Sequence, residues 1–168
     1  MSKEPNIIVD EIEVIIAVSE WLHKEGKNID IISIPKGGKS KKEKKAIIEA
    51  ELGKYGISPK YEANGPDIVA SCEDPPEIWY VECKGSGTGG SSTHRNNFDR
   101  LLSSVVSHFG HEGENTDGKN IHLIMALPDS NKTFTKLCIG KISSELLRVL
   151  NMKIFMYNSE RSLLLESR

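Results

Sequence analysis

The chain has 168 residues, 38% of them hydrophobic and 27% charged, with a formal net charge of -2. This is an ordinary soluble composition that suits one domain with a sizeable core and leaves little room for two. Net charge alone gives no reason to expect nucleic acid, so a phosphate-binding surface would have to be local. Cys72, Cys83 and Cys138 are odd in number and form no C-x-x-C pair. That argues against a zinc knuckle and a disulfide framework and fits a reducing compartment. The first residues lack a basic segment followed by an apolar run and a cleavage site, and no stretch reaches the roughly 18 apolar residues of a membrane span. The expectation is a cytoplasmic protein with no membrane partner.

In chain order, "NIIVDEIEVIIAVSEWLHKEG" predicts a first helix, with Ile8, Ile12, Ile15, Ser19 and Leu22 on one stripe and Ile7, Glu11, Val14, Val18 and Trp21 on the next. Gly26 is its stop. "NIDIISIP" reads as a short strand, and "KGGKSKKEKKAIIEAELGKYG" as a lysine-rich loop leading into a second, shorter helix. "GPDIVASCEDPPEIWYVECKG" reads as two strands joined at a Pro-Pro turn, followed by the flexible loop "GSGTGGSS". In "THRNNFDRLLSSVVSHFG", Phe98, Leu101, Leu102, Val105 and Phe109 recur at helical spacing. "NIHLIMALP" is then a strand, "KISSELLRVLN" an amphipathic helix and "KIFMYN" a last short strand. A hairpin in the middle and crossover helices later predict an α/β fold whose mixed β-sheet is flanked by helices on both faces. No linker or repeat divides the chain.

The hairpin carries Asp67, Glu82 and Lys84 where apolar residues would pack better. Side chains alternate along a strand, so Glu82 and Lys84 share one face and Val81 and Cys83 the other. Asp67 opens the preceding strand, and the hairpin can bring its carboxylate close to that of Glu82. Two carboxylates at close range repel unless a cation lies between them. Oxygen ligands without thiolate or imidazole suit a hard ion such as magnesium. A lysine beside a metal-bound water can orient it, so the set reads as phosphodiester hydrolysis. The plainer alternative is a turn aspartate after Gly-Pro and an exposed same-face ion pair.

"GPDIV" followed by "YVECKG" resembles the PD-(D/E)xK motif of the restriction-endonuclease-like nuclease superfamily. The predicted order of helix, strand, hairpin, helix and strand resembles that family's core over most of the chain. The resemblance implies a single nuclease-like domain over 1–168 with a lysine-rich loop and helix inserted at about 36–55. It implies a magnesium-dependent endonuclease acting on DNA, with manganese as a substitute, in which water attacks phosphorus and a 3′-hydroxyl leaves. Asp67 and Glu82 would bind the metal, the Cys83 backbone carbonyl would complete the site, and Lys84 would act on the water.

Helical geometry adds one acid. At 100° per residue Glu11 falls near the middle of the first helix's apolar face, whereas Glu13 and Glu20 fall on the solvated side. Many relatives in the superfamily carry an acid on their first helix that reaches the metal site, so the resemblance makes Glu11 the candidate. The alternative is an acid welcomed by the helix dipole at its start. The run of Lys36, Lys39, Lys41, Lys42, Lys44 and Lys45 can neutralise phosphates without reading bases, or be a solvated loop. On the helix after the Glu-x-Lys strand, the resemblance points to Arg95, Asn97 and Arg100 as residues facing the nucleic acid. His94 and His108 read as ordinary helix residues. A non-catalytic nucleic-acid-binding or assembly subunit with the same fold is the main rival, and a nucleotide-binding α/β protein using the glycine loop is another. Monomer and homodimer are both open.

Overall fold

Alternation along the two innermost late strands decides the architecture. A computed structural model describes residues 8–87, 89–109, 118–129, 132–159 and 162–167. In the strand Asn120–Pro128 (β5), Leu123, Met125 and Leu127 enter one core, and Ile124 and Ala126 enter another. The strand Met152–Asn158 (β6) divides in the same way, with Met152, Ile154 and Met156 against Phe155 and Tyr157. Strands apolar on both faces must be covered on both, and here helices cover them.

The sheet has seven strands in the order β2-β1-β3-β4-β5-β6-β7, where β1 is Asn28–Ser33, β2 Lys60–Glu62, β3 Ile68–Glu73, β4 Pro76–Cys83 and β7 Leu163–Ser167. The β1/β2, β4/β5 and β5/β6 pairs are parallel; β1/β3, β3/β4 and β6/β7 are antiparallel. Helices α1 (Glu11–Lys24) and α2 (Lys41–Gly53) supply one core, with Val14, Val18, Ile48 and Leu52 fully buried. Helices α3 (Ser91–Ser107), α4 (Lys132–Lys141) and α5 (Ser144–Val149) lie over the other, which contains Phe98, Leu101 and Cys138. The fold is the expected α/β arrangement of a mixed sheet between helical layers. No described helix is long and apolar enough to cross a membrane.

Several elements differ from the sequence expectation. The first helix begins at Glu11, later than expected, because Asp10 caps it: the Asp10 side chain accepts from the Ile12 N–H at 3.2 Å, and Glu13 completes a capping box. Ile8 is consequently 61% exposed and lies outside the helix, while Ile7 lies outside the described residues. Phe109, expected on the apolar stripe of α3, follows the helix and is 37% exposed. The expected helix 141–151 is the shorter α5, beginning after Ser143, whose side chain accepts from the Leu146 N–H, and a separate helix that was not expected, α4, ends at Lys141. Strands β2 and β7 were not expected; each is short and lies at a sheet edge, where little burial pattern is required.

Lysines 41, 42, 44 and 45 belong to α2 instead of a loop, because Ser40 and Glu43 form a capping box there. Lys44 is the exception in that run. It is 4% exposed, and its ammonium donates to the Pro35 carbonyl at 2.6 Å and to the Gly37 carbonyl. Its charge closes the loop after β1, so the ammonium expected to meet nucleic acid already holds two carbonyls. Replacing it by methionine keeps the aliphatic stem but leaves both carbonyls without this donor. Lys44→Met should cost about 1–3 kcal/mol in urea unfolding, whereas Lys41→Met and Lys42→Met, at exposed positions, should stay within about 0.5 kcal/mol of the parent.

Candidate active site

The hairpin register places the first two carboxylates. Ile68 pairs with Val81 across β3 and β4, so Asp67, one residue before β3, stands opposite Glu82. Ile68 and Val81 are fully buried in the α1-side core. By alternation Asp67 and Glu82 face the other way, toward α3. The Asp67 carbonyl accepts from the Ser33 N–H at 3.0 Å, tying it to β1, and Asp67 Oδ2 accepts from the Cys83 N–H at 2.7 Å. The N–H and C=O of one strand residue point to the same side, so the Cys83 carbonyl is directed toward β3 as well. The Cys83 thiol is on the opposite face and fully buried; burial first, and the nearby carboxylates next, push its pKa up. Only its backbone can serve the site.

Glu11 is brought to the same place by the start of α1. The Val9 N–H donates to Ser86 Oγ at 2.6 Å, and the Ser86 N–H to the Val9 carbonyl at 2.9 Å. Between them a Cβ on Gly85 would lie 2.6 Å from the Val9 oxygen and 2.7 Å from the Glu11 nitrogen, so only glycine permits this approach. The clamp sets Glu11 Oε2 3.2 Å from Lys84 Nζ. The Lys84 backbone is held in turn by its N–H bond to the Ala126 carbonyl, 2.9 Å long.

Glu11, Asp67, Glu82 and Lys84 line one cleft of about 410 Å³ together with Ser33 and Ser104. A second cleft of about 610 Å³ shares Glu11, Pro35, Lys36 and Lys84 with it and carries Asn97 and Arg100 farther along. The acids leave an electrostatic mark. Burial, then the charges of Glu82 and Glu11, push the Asp67 carboxyl up to about 8, against the opposing pull of the Cys83 N–H and Lys84.

The donor chemistry fits a hard divalent cation. Asp67, Glu82 and the Cys83 carbonyl offer oxygen alone, and the burial and like charge that push the Asp67 carboxyl up are what a cation would offset. Among the described residues no group of three His, Cys, Asp or Glu side chains is disposed to hold a metal ion. Two carboxylates suffice for magnesium, which keeps several waters and shares phosphate oxygens instead of demanding an all-protein cage. Glu11, expected as a third ligand, here bonds Lys84.

The other expected contacts divide. Lys36 borders both clefts, and Lys44, Asn97 and Arg100 border the second, whereas Arg95, Lys39, Lys41, Lys42 and Lys45 are exposed and line neither. Lys45 lies 3.5 Å from Glu49 and over the Tyr61 ring. His108 was read as an ordinary helix residue, yet its Nε2 lies 2.7 Å from Glu82 Oε1. A signal for it existed. Asn97, Arg100, Ser104 and His108 are spaced three, four and four apart, one polar stripe beside the apolar stripe of Phe98, Leu101 and Val105.

The raised Asp67 pKa carries a sign. The folded chain holds this proton more tightly than the unfolded one, so the contribution to stability is fully present below 3.8 and is lost as pH rises through about 8. Asp67→Asn is neutral and keeps an oxygen for the Cys83 N–H. In chelator, its melting temperature should match that of the parent near pH 4 and exceed it by on the order of 10 °C at pH 8. Thermal unfolding across that range measures it, and a pH-independent difference would show that Asp67 does not titrate there.

No family model matches the sequence, and no curated protein matches it either. Among solved structures, an XisH family protein from Nostoc punctiforme is similar to this chain with a TM-score of 0.47 and 15% sequence identity, over 91% of this chain and 96% of that one.

Proposed function

We propose that this chain is a magnesium-dependent endonuclease that hydrolyses phosphodiester bonds of DNA, manganese serving as a substitute. One observation carries the reading. Asp67 and Glu82 from the hairpin, Lys84 just beyond it and Glu11 from α1 border a single cleft with Lys36, and that cleft shares its wall with one bearing Arg100. The resemblance of "GPDIV" and "YVECKG" to the PD-(D/E)xK motif is independent support from sequence.

In this reading Asp67, Glu82 and the Cys83 carbonyl would hold the cation. When bound, it supplies charge neutralisation at the phosphate and a more acidic water. Lys84 would donate to the attacking water and fix its line of approach to phosphorus, while Glu11 keeps the Lys84 ammonium from swinging into solvent. The new bond joins water oxygen to phosphorus as the bond to the 3′ oxygen breaks, and that oxygen leaves as a hydroxyl. Lys36, Asn97 and Arg100 hold phosphates on either side of the scissile one. Lys41 and Lys42 occupy the first turn of α2, where the helix dipole disfavours cations. Folding does not reward that placement, but a polyanion does.

A rival reading has one observation in its favour. With Lys84 on Glu11 and His108 on Glu82, two of the acids already have cationic or hydrogen-bonding partners, as in a non-catalytic nucleic-acid-binding or assembly subunit. Cleavage separates the two. On a panel of duplex, branched and single-stranded DNA with magnesium, the parent should cut at least one form. Asp67→Asn and Lys84→Ala should each lose about 100-fold or more in rate while binding DNA as before. Glu11→Gln should slow cleavage, whereas Glu13→Gln and Glu20→Gln should not. Failure of the parent to cut any form, with DNA binding retained, would favour the subunit reading.

The basic surface has its own measurement. Replacing Lys36, Lys41, Lys42 and Lys45 together by glutamine should weaken DNA binding and flatten the dependence of log affinity on log salt by up to about 3–4. An unchanged slope would return these lysines to a solvated surface.

A further inference from the structure

We infer that His108 is a positioning residue for Glu82: from the end of α3 it holds one carboxylate oxygen and thereby presents the other to the bound cation. The inference rests on the reading of Glu82 as a cation ligand and adds a residue to it. His108 Nε2 lies 2.7 Å from Glu82 Oε1, and the two side chains are only 16% and 15% exposed. Water therefore competes little for either group. The imidazole ring is also steered from a second direction, tilted against Tyr80 with ring centroids 5.6 Å apart. Tyr80 precedes Glu82 by two residues on β4 and so lies on the same face. The His108 backbone is set by its N–H bond to the Val105 carbonyl at 3.1 Å, which closes the helix.

The chemical purpose follows from what a glutamate lacks. Its carboxylate turns freely about three side-chain bonds, and ordering it when a cation arrives costs rotamer entropy. A bond to one oxygen places that cost in folding instead of binding. Each principal group of the cleft has a separate holder: the Cys83 N–H holds Asp67, Glu11 holds Lys84, and His108 holds Glu82. His108 also ends the polar stripe whose earlier members, Asn97, Arg100 and Ser104, border the two clefts. One helix face thus adjoins both the phosphate path and the acid it would act with. Nε2 can donate to the carboxylate whether the ring is neutral and protonated there or doubly protonated.

The test is calorimetric titration of Mn2+ into the full chain, with cleavage as a second readout. His108→Phe keeps a ring against Tyr80 but has no donor, and His108→Ala removes both. Each should bind Mn2+ about 10–100-fold more weakly than the parent, while His108→Gln, whose amide nitrogen reaches near the place of Nε2, should stay within about threefold. Thermal unfolding in chelator identifies any variant that has lost its fold, and the Phe and Gln variants, which fill the space, decide the matter if the Ala variant unfolds. Parent-like affinity in His108→Phe, or a loss in His108→Gln as large as that in His108→Phe, overturns the proposal alone. Absence of saturable Mn2+ binding by the parent overturns the nuclease reading and this proposal with it.

Discussion

Ile68 packs across from Val81, both fully buried beneath α1, and this single pairing governs everything around it. A slip of one residue in the hairpin would turn Ile68, Ala70 and the rest of the strand out of the core, so the register is held by the hydrophobic effect. With the register held, Asp67 must stand opposite Glu82 on the far face. The carboxylates have no say in the matter, and their mutual repulsion is small beside the burial of the strands behind them. The fold thus enforces an arrangement that the site residues by themselves would avoid.

The cost of that arrangement is visible in Asp67, whose carboxyl is pushed up by burial and by two neighbouring acids. A protein selected for stability alone would place an apolar or neutral residue here. Partners soften the cost without abolishing it. The Cys83 N–H, Lys84 and His108 each bond one acid, and they come from the strand, the segment beyond it and a helix end. Because the partners come from separate elements, the geometry of the cleft depends on how α1 and α3 dock on the sheet.

Docking at the α1 side is controlled by the crossing at Gly85. Backbone atoms of Val9 and Glu11 approach within a distance that no side chain would allow, and the reciprocal bonds between Val9 and Ser86 close the crossing. The glycine after the Glu-x-Lys run is therefore part of the positioning of Glu11. On the opposite face α3 does the corresponding work with its polar stripe, its apolar stripe sitting on Leu123, Met125 and their neighbours. The acid cleft lies between two differently anchored helices, and the larger cleft meets the start of α1 at Glu11 and α3 at Asn97 and Arg100.

Much of this was legible in the residues themselves. The unbroken apolar runs in "NIHLIMALP" and "KIFMYN" announce strands buried on both faces, and the Pro-Pro turn with its flanking apolar runs announces the hairpin, because run length and turn chemistry are local properties. The pairing of Asp67 with Glu82 across that hairpin could also be inferred, since a short turn fixes which residues face each other. What lay beyond local rules was decided by tertiary packing. Lys44 reads as one more cation in a basic run, and only the path of the loop after β1 shows its ammonium buried among carbonyls. The edge strands β2 and β7 are held by a neighbouring strand more than by their own pattern. Glu11 and His108 reach the hairpin from 73 and 26 residues away in sequence, and helical periodicity gives the direction of a side chain but not the neighbour it meets. That neighbour is chosen by how the helices settle on the sheet, a balance of apolar burial summed over the whole core.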